Sequence, residues 1–461
     1  MIVNLVFLLL NIITKNECYI KIPFIYFPSN IKKDNSPRNI LLSIIDLKMF
    51  GLLEIGSPKQ LIHIPINFGS NTFFMPEKSS FNKNDIKYNI SLYDNKNSSS
   101  YKIIKDNEEY EGENFIEAYY VNDIFYFNEE QIDLDFYLTT SYYFPQLGGL
   151  GLQLYPSNKA NTATPDINKT FLRKLKIKSI ANNYIWSVFY GNDFNNNGYL
   201  LIGEYPHLSI NFPNDNKYNY SLNSIDAIIY DNKIVETKFR MNKVQILYED
   251  KIEENYDDIF IVELDYNFGG ILAPGKFKPY FEKNVFNQTK YCKRDAVNRI
   301  FNNYFYYCEN NENTINELKK LFPLIKFENK ILSSTFIINI NNLLYYENNY
   351  IYILLLFKED SESYTWTLGT PFLKKYQFSI NEESKKIYFY KKAEIKDNKE
   401  RNETNNFFLI IIISICVLLF VLGICLGIAF YYKNTRKKRK NELDDDFDYI
   451  IKDGENNAII N

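Results

Sequence analysis

The chain has 461 residues and a formal net charge of −3, and it contains only two histidines and five cysteines. So few histidine and cysteine side chains argue against a His-ligated metal centre, a Cys-rich zinc site or a Ser-His-Asp triad. The 53 basic and 56 acidic residues nearly cancel, which provides no basic field for nucleic acid. Hydrophobic residues make up 46% of the chain, enough for a large core. Because histidine and cysteine are so scarce, acid–base chemistry would have to use carboxylates.

An apolar stretch near the N-terminus, residues 2–13, predicts the hydrophobic region of a secretory signal peptide. We expect cleavage near Cys18, so that residues 1–18 form the signal peptide and residues 19–37 form an N-terminal extension. No basic region precedes the apolar stretch, and the alternative interpretation is a buried N-terminal strand.

The C-terminal region predicts a membrane anchor. Residues 407–432 form a run of 26 residues without a charged side chain, long enough at about 1.5 Å per residue to cross a hydrocarbon core of about 30 Å. Basic residues crowd positions 433–440, so the positive-inside rule places the tail, residues 433–461, in the cytosol. The charged segment 391–406 predicts a stalk. We therefore expect a single-pass type I membrane protein of the secretory pathway or cell surface, with its ectodomain outside the cytosol.

Two further features fit an extracytosolic domain. Cys292 and Cys308 are a pair that an oxidising compartment would allow to form a disulfide. Six Asn-X-Ser/Thr acceptors make the ectodomain a candidate glycoprotein. The candidate acceptors are Asn89, Asn97, Asn168, Asn219, Asn287 and Asn402.

Runs of β-branched and aromatic residues, separated by polar turns, predict a mainly β ectodomain. The clearest predicted strands are residues 61–66, 115–127, 185–190, 199–203, 335–340, 350–357 and 386–390. Helical periodicity is scarce, and it is best at residues 170–177 and 315–322.

Four segments, in order along the chain, resemble the pepsin-like aspartic peptidases, peptidase family A1. Residues 49–76 (MFGLLEIGSPKQLIHIPINFGSNTFFMP) resemble Y-x-G-x-I-x-I-G-T-P-P-Q followed by the catalytic D-T-G-S-S-x-x-W-V-P. Residues 147–157 (LGGLGLQLYPS) resemble the G-I-L-G-L-G-Y-P-S turn. Residues 260–274 (FIVELDYNFGGILAP) lie where the second catalytic loop is expected, and residues 366–389 resemble W-x-L-G-x-x-F-L-R-x-Y…I-G-F.

This resemblance implies a bilobal pepsin-like acid-protease fold, with an N-terminal lobe over residues 38–210 and a C-terminal lobe over residues 211–390. The fold class we expect is mainly β: two β-rich lobes around a cleft, plus one C-terminal transmembrane helix. In the family each lobe contributes one loop with a catalytic Asp, and the pair shares a proton while activating a water for proteolysis. The resemblance implies a polypeptide substrate or ligand in the cleft, with no cofactor and no metal.

The first loop departs from the family pattern at its catalytic position. Asn67 stands where the first carboxylate belongs, and an amide can neither hold the shared proton nor act as a general base. Bulky Phe68 follows in place of a small residue. Gly69 and Ser70 match the family and are the residues expected to support this loop.

The second loop allows two alignments. The first aligns Asp265 with the catalytic Asp and keeps the family spacing to Pro274, but it places Asn267 where the family has Gly. The second aligns Asn267 with the catalytic Asp and keeps the Gly, with Gly269 and Gly270 as support, but it shortens the run to Pro274 by two residues. The steric demand for glycine favours the second alignment. Neither alignment restores the pair of carboxylates.

The family's cleft-covering hairpin, the flap, usually contains Y-G-T-G. Its nearest counterpart here has Tyr110 and Gly112, with glutamates after each of them that could obstruct the substrate path.

Two functions follow from these residues. The first is a membrane-anchored pseudopeptidase that binds polypeptide with little or no cleavage. The second is a divergent aspartic endopeptidase that acts at acid pH through Asp265 and a second, unrecognised acid.

Overall fold

The computed structural model describes most of the predicted ectodomain. The described residues are 19–28, 36–69, 73–80, 90–110, 116–139, 149–154, 170–191, 198–206, 218–230, 233–297, 303–332, 335–359, 362–392 and 431. The predicted signal peptide, the tail, all of the span except Tyr431 and all of the stalk except Lys391 and Lys392 lie outside these residues. Among the described residues, no helix is both long enough and apolar enough to cross a membrane.

Strands dominate residues 19–392, as their alternating and aromatic-rich runs predict. The strands of the first half are β1 (Ile20–Pro28), β2 (Leu47–Ile55), β3 (Gln60–Asn67), β4 (Phe73–Pro76), β5 (Lys102–Tyr110), β6 (Ile116–Phe127), β7 (Glu130–Thr139), β8 (Gly149–Gly151), β9 (Ile185–Tyr190) and β10 (Gly198–Ile202). Those of the second half are β11 (Tyr218–Tyr230), β12 (Lys233–Met241), β13 (Lys243–Tyr248), β14 (Lys251–Tyr256), β15 (Phe260–Leu264), β16 (Ile271–Ala273), β17 (Cys292–Val297), β18 (Asn303–Glu309), β19 (Leu324–Glu328), β20 (Phe336–Ile338), β21 (Leu344–Glu347), β22 (Tyr350–Phe357), β23 (Thr365–Leu368), β24 (Tyr376–Asn381) and β25 (Lys386–Lys392).

The helices are few and short. They are α1 (Pro37–Ile45), α2 (Phe171–Ile177), α3 (Lys278–Phe281), α4 (Glu312–Leu321) and α5 (Thr370–Leu373), with a π-helical turn at Glu282–Phe286 and 3₁₀ turns at Lys78–Ser80, Asn95–Asn97, Gly275–Phe277 and Ile340–Asn342. The longer helices begin at side-chain caps: Ser36 accepts from the Asn39 N–H, and Asn311 accepts from the Thr314 N–H. Both predicted helices are present, as α2 and α4. Helix α1 was not predicted, although Ser36 followed by Pro37 is a recognised start signal.

One sheet joins the two halves of the chain. β9 of the first half pairs with β24 of the second, with Ser187 opposite Ser379 and Trp186 opposite Ile380. The hydroxyl oxygens of Ser187 and Ser379, both fully buried, lie 2.6 Å apart and share a hydrogen bond. A separate four-stranded sheet contains β13, β14, β19 and β20. The mainly β prediction is confirmed, and β9 and β22 have the predicted bounds.

The N-terminal extension is a structural part of this domain. β1 pairs with β10 and with β2, so it lies between two strands of the first half. Helix α1 then buries Leu41 and Ile45 in an apolar cluster with residues of the second half, among them Phe268 and Leu354. The extension together with α1 therefore contacts both halves of the chain.

Cys292 and Cys308 lie opposite each other in the antiparallel pair β17–β18 and form a disulfide. Among the glycosylation candidates, Asn97 and Asn287 are exposed and Asn219 lies in β11. Asn89, Asn168 and Asn402 lie outside the described residues.

Candidate active site

The first candidate loop connects β3 to β4 and begins at Asn67, the last residue of β3. Leu150 of β8 pairs in parallel with Ile66 on one side and antiparallel with Phe73 on the other. Six residues separate these two pairing positions along the chain, and Asn67 is the first of them. The side-chain Oδ1 of Asn67 accepts a hydrogen bond of 3.1 Å from the backbone N–H of Gly69. The loop therefore begins with an amide whose oxygen is turned back toward its own backbone.

The second candidate loop, between β15 and β16, has the same arrangement. Leu368 of β23 pairs in parallel with Leu264 and antiparallel with Ile271. Six residues again separate the pairing positions, and Asp265 is the first of them. Its Oδ1 accepts a hydrogen bond of 2.9 Å from the backbone N–H of Asn267. The two loops thus correspond in their pairing positions and in their first three residues.

This geometry matches the first alignment, in which Asp265 corresponds to Asn67, and not the second, which the sequence argument favoured. That argument required glycine at the third loop position, where close contact between backbones was expected. Among the described residues, a Cβ on Gly69 would meet only Asn67 Oδ1, at 3.8 Å, which is an ordinary van der Waals contact. Asn267 occupies the equivalent position, and its side-chain Oδ1 accepts a hydrogen bond of 3.1 Å from the Met49 N–H.

The position that sterically requires glycine is Gly269, two residues after Asn267. A Cβ there would lie 1.8 Å from the backbone oxygen of Ile44 in helix α1. The Gly269 N–H donates a hydrogen bond of 2.9 Å to the Ile45 carbonyl. The close approach at Gly269 is therefore between this loop and α1. Gly270 is also tightly surrounded, since its Cβ would lie 3.2 Å from the Leu354 carbonyl oxygen.

Aromatic rings join the two loops. Phe68 and Tyr266, the second residues of their loops, stack with ring centroids 4.5 Å apart and an interplanar angle of 24°. Both rest on the buried indole of Trp186 in β9, at 5.3 Å from Phe68 and 5.5 Å from Tyr266. In the family that this sequence resembles, small hydroxyl residues take these positions. We call Phe68, Tyr266 and Trp186 the aromatic joint. It was not predicted from the sequence, although the first alignment puts an aromatic residue second in each loop.

A second tyrosine pair lies next to this joint. The Tyr26 hydroxyl of β1 donates a hydrogen bond of 2.6 Å to the backbone carbonyl of Tyr266 and lies 3.2 Å from the Tyr190 hydroxyl. Burial raises the pKa of both Tyr26 and Tyr190 well above the ordinary value, and the negative charge of Asp265 raises it further. The N-terminal extension thereby supports the loop that contains Asp265.

A buried carboxyl lies beneath the same tryptophan. Glu382 is 2% exposed, and its carboxyl oxygens accept hydrogen bonds from the Trp186 indole N–H at 3.3 Å and from the Leu154 N–H at 3.5 Å. Burial raises the pKa of Glu382 to about 7, against an opposing contribution from these hydrogen bonds and from Lys385. The sequence contained no signal for this residue beyond its charge.

The remaining predicted site residues are only partly described. Tyr110 ends β5, where its backbone pairs with Ile116, and the flap tip with Gly112 lies outside the described residues. Ser70 also lies outside them. His63 in β3, one of the two histidines, is not a predicted site residue; it accepts a hydrogen bond of 3.0 Å from the Ser91 N–H, and burial lowers the pKa of its imidazole.

Within the described ranges, no group of three or more His, Cys, Asp and Glu side chains could hold a metal ion. At their first positions the two loops contribute one amide, Asn67, and one carboxylate, Asp265.

The family model described as eukaryotic aspartyl protease matches residues 48–392, which include both loops, β2 from Lys48 onward and all described strands from β3 to β25. No curated protein matches the chain.

Proposed function

Since the chain belongs to the eukaryotic aspartyl protease family, we propose that its cleft binds polypeptide and that it hydrolyses peptide bonds weakly or not at all. Family membership implies a pepsin-like domain with a cleft for a polypeptide.

The observation that carries this proposal is the equivalence of Asn67 and Asp265. Each is the first residue of its loop, and each accepts a hydrogen bond from the N–H two residues later. Aspartic peptidases need two carboxylates at these positions, because one must be protonated while the other accepts a proton from the attacking water. An amide nitrogen donates but does not accept protons at any physiological pH. Asp265 supplies only one of the two carboxylates that this proton transfer requires.

The alternative function is acid-pH endoproteolysis through Asp265 and a second acid. Its support is that Asp265 is retained at the equivalent position and is held by the Asn267 N–H.

We further propose that the domain is presented outside the cytosol by a type I anchor at residues 407–432, after removal of residues 1–18. The support is the uncharged run followed by basic residues. The disulfide between Cys292 and Cys308 also favours an oxidising compartment. Protease protection of intact vesicles, with antibodies against the domain and against the tail, tests the orientation. Digestion of the tail but not of the domain in sealed, correctly oriented vesicles is the expected result.

Activity is tested by peptide-library cleavage from pH 3 to pH 6 with three proteins: the native chain, Asn67→Asp and Asp265→Ala. We expect no pepstatin-sensitive cleavage by the native chain, and a gain for Asn67→Asp, because that substitution restores the second carboxylate. Pepstatin-sensitive cleavage by the native chain that Asp265→Ala abolishes would establish the alternative function.

A further inference from the structure

A buried carboxyl group holds two segments that lie against the candidate loops. Glu382 is the first residue of the turn after β24, and it is 2% exposed. Its Oε1 accepts a hydrogen bond of 3.3 Å from the Trp186 indole N–H, and its Oε2 accepts one of 3.5 Å from the Leu154 backbone N–H. Each oxygen of one carboxyl group therefore holds a different segment of the first half of the chain.

The first segment reaches both loops through the aromatic joint. The Trp186 ring lies 5.3 Å from the ring of Phe68 in the first loop and 5.5 Å from the ring of Tyr266 in the second. Because the indole is fully buried, it cannot shift without moving these two rings. The hydrogen bond from Trp186 to Glu382 thus fixes the ring on which both loops rest.

The second segment reaches the first loop through the backbone. Leu154 follows Leu152 by two residues, and the Leu152 N–H donates a hydrogen bond of 3.1 Å to the Asn67 carbonyl. The Leu154 N–H is the group that Glu382 holds. A displacement of this segment would therefore act directly on the position that corresponds to the first catalytic residue.

The surroundings of Glu382 favour its neutral form. The titratable and charged residues that the described segments bring close to its turn are Arg173, Lys176, Tyr184, Tyr205, Glu383 and Lys385. Residues 149–154 and 185–189 add no charged side chain. Burial raises the pKa of Glu382, against the hydrogen bonds from Trp186 and Leu154 and the charge of Lys385. A carboxylate in this site would lack hydration, so its formation draws water in and loosens the packing around it.

We propose that Glu382 is a pH-dependent positioning residue for the two loops: the neutral carboxyl keeps Trp186 and Leu154 in place, and the carboxylate releases them. The inference rests on the proposed function in one respect, namely that the cleft binds polypeptide. It adds that binding is tighter at acid pH, because the loops that border the cleft are then held more firmly.

Trp186 gives a direct spectroscopic test, because the chain has only two tryptophans. Trp366→Phe leaves Trp186 as the single fluorophore, and the Trp366 indole N–H has no hydrogen-bond partner among the described residues. In the full chain in lipid nanodiscs, Trp186 emission should change between pH 5 and pH 8 with a midpoint near pH 7. Glu382→Gln should abolish this transition. Glu383→Gln, at a neighbouring carboxylate that is 61% exposed, is the matched control and should keep it.

Hydrogen exchange tests whether the loops respond. At pH 8, peptides with residues 67–69, 150–154 and 265–269 should exchange about tenfold faster in the native chain than in Glu382→Gln. At pH 5.5 the two proteins should agree, because the glutamine stays neutral and keeps an oxygen acceptor at either pH. Exchange in β14, the exposed edge strand of the four-stranded sheet, should be equal in both proteins. A purely structural role would give the same difference at both pH values.

Pepstatin is the probe for the cleft. Its affinity for the native chain should fall about tenfold from pH 5.5 to pH 8, and its affinity for Glu382→Gln should be the same at both. If pepstatin binds at neither pH while the emission and exchange changes occur, the positioning role is supported and the proposed cleft function is contradicted. A Trp186 transition that persists in Glu382→Gln, or equal loop exchange in the two proteins at pH 8, would overturn the inference.

Discussion

Phe68 and Tyr266 stack on each other across the two candidate catalytic loops, with ring centroids 4.5 Å apart. They are the second residues of loops whose pairing positions and first three residues correspond, and the first residues are Asn67 and Asp265. Stacked rings hold two loops by dispersion and apolar burial, whereas hydroxyls would do so by hydrogen bonds to the opposite backbone. The joint between the halves is therefore kept in this chain, although its chemistry differs from the family pattern.

The first prediction concerns the coupling energy of this aromatic joint. In a double-mutant cycle of Phe68→Ala and Tyr266→Ala, we expect an interaction free energy of about 0.5–1.5 kcal/mol, as for other buried aromatic pairs. Urea unfolding of the four proteins measures it. Tyr346→Ala is the matched control, since Tyr346 is 45% exposed and should show no coupling to Phe68. Additive effects of Phe68→Ala and Tyr266→Ala would show that the stacked rings do not stabilise one another.

The second prediction compares two glycines, one in each loop. Gly269→Ala should lower the free energy of unfolding by at least about 2 kcal/mol, because its Cβ would lie 1.8 Å from the Ile44 oxygen. Gly69→Ala should change it by no more than about 0.5 kcal/mol, because the nearest atom of the described residues would lie 3.8 Å from the added Cβ. Thermal unfolding of the two variants, with hydrogen exchange in α1 as a local measure, makes the comparison. If the two substitutions lower the free energy of unfolding by the same amount, Gly269 does not closely approach α1 as we describe.

The third prediction is a pH dependence that originates at Glu382. Its pKa rises from an ordinary 4.5 to about 7 in the folded chain, so folding favours the protonated carboxyl. The resulting stabilisation is complete below about pH 4.5 and is lost as pH rises through about 7, a change of roughly 3 kcal/mol. Glu382→Gln should remove this component. Urea unfolding of the native chain and of Glu382→Gln, at intervals from pH 4 to pH 8, tests this prediction. The difference between their free energies of unfolding should change between about pH 4.5 and about pH 7 and stay constant outside that window.

The fourth prediction concerns the disulfide. Cys292 and Cys308 are 16 residues apart, and a cross-link over a loop of that length stabilises by about 3 kcal/mol in the chain-entropy description. Cys292→Ser with Cys308→Ser should therefore lower the unfolding temperature of the domain. A reducing agent should lower it for the native chain by a similar amount and leave the double variant unchanged. A further decrease in the double variant would point to another thiol-dependent contact.

Much of the local structure could be predicted from residue patterns. The strand at residues 185–190 and the strand at 350–357 have the bounds that their β-branched and aromatic residues indicate. The substitution at Asn67 was evident because the surrounding motif aligns without a gap. These features depend on near neighbours in the chain, for which composition and periodicity are sufficient.

Three features of the site could not be predicted in this way. The second loop has its alignment because Leu368, about a hundred residues later, pairs with both Leu264 and Ile271. The need for glycine at Gly269 arises from α1, more than two hundred residues earlier in the chain.

The aromatic joint depends in the same way on distant segments, since Phe68, Trp186 and Tyr266 come from three of them. The sequence by itself therefore determined the family, the mainly β class and the missing carboxylate at Asn67. Only the tertiary structure decided which residue corresponds to Asn67 and what holds the two loops together, because both depend on contacts whose partners no local pattern identifies.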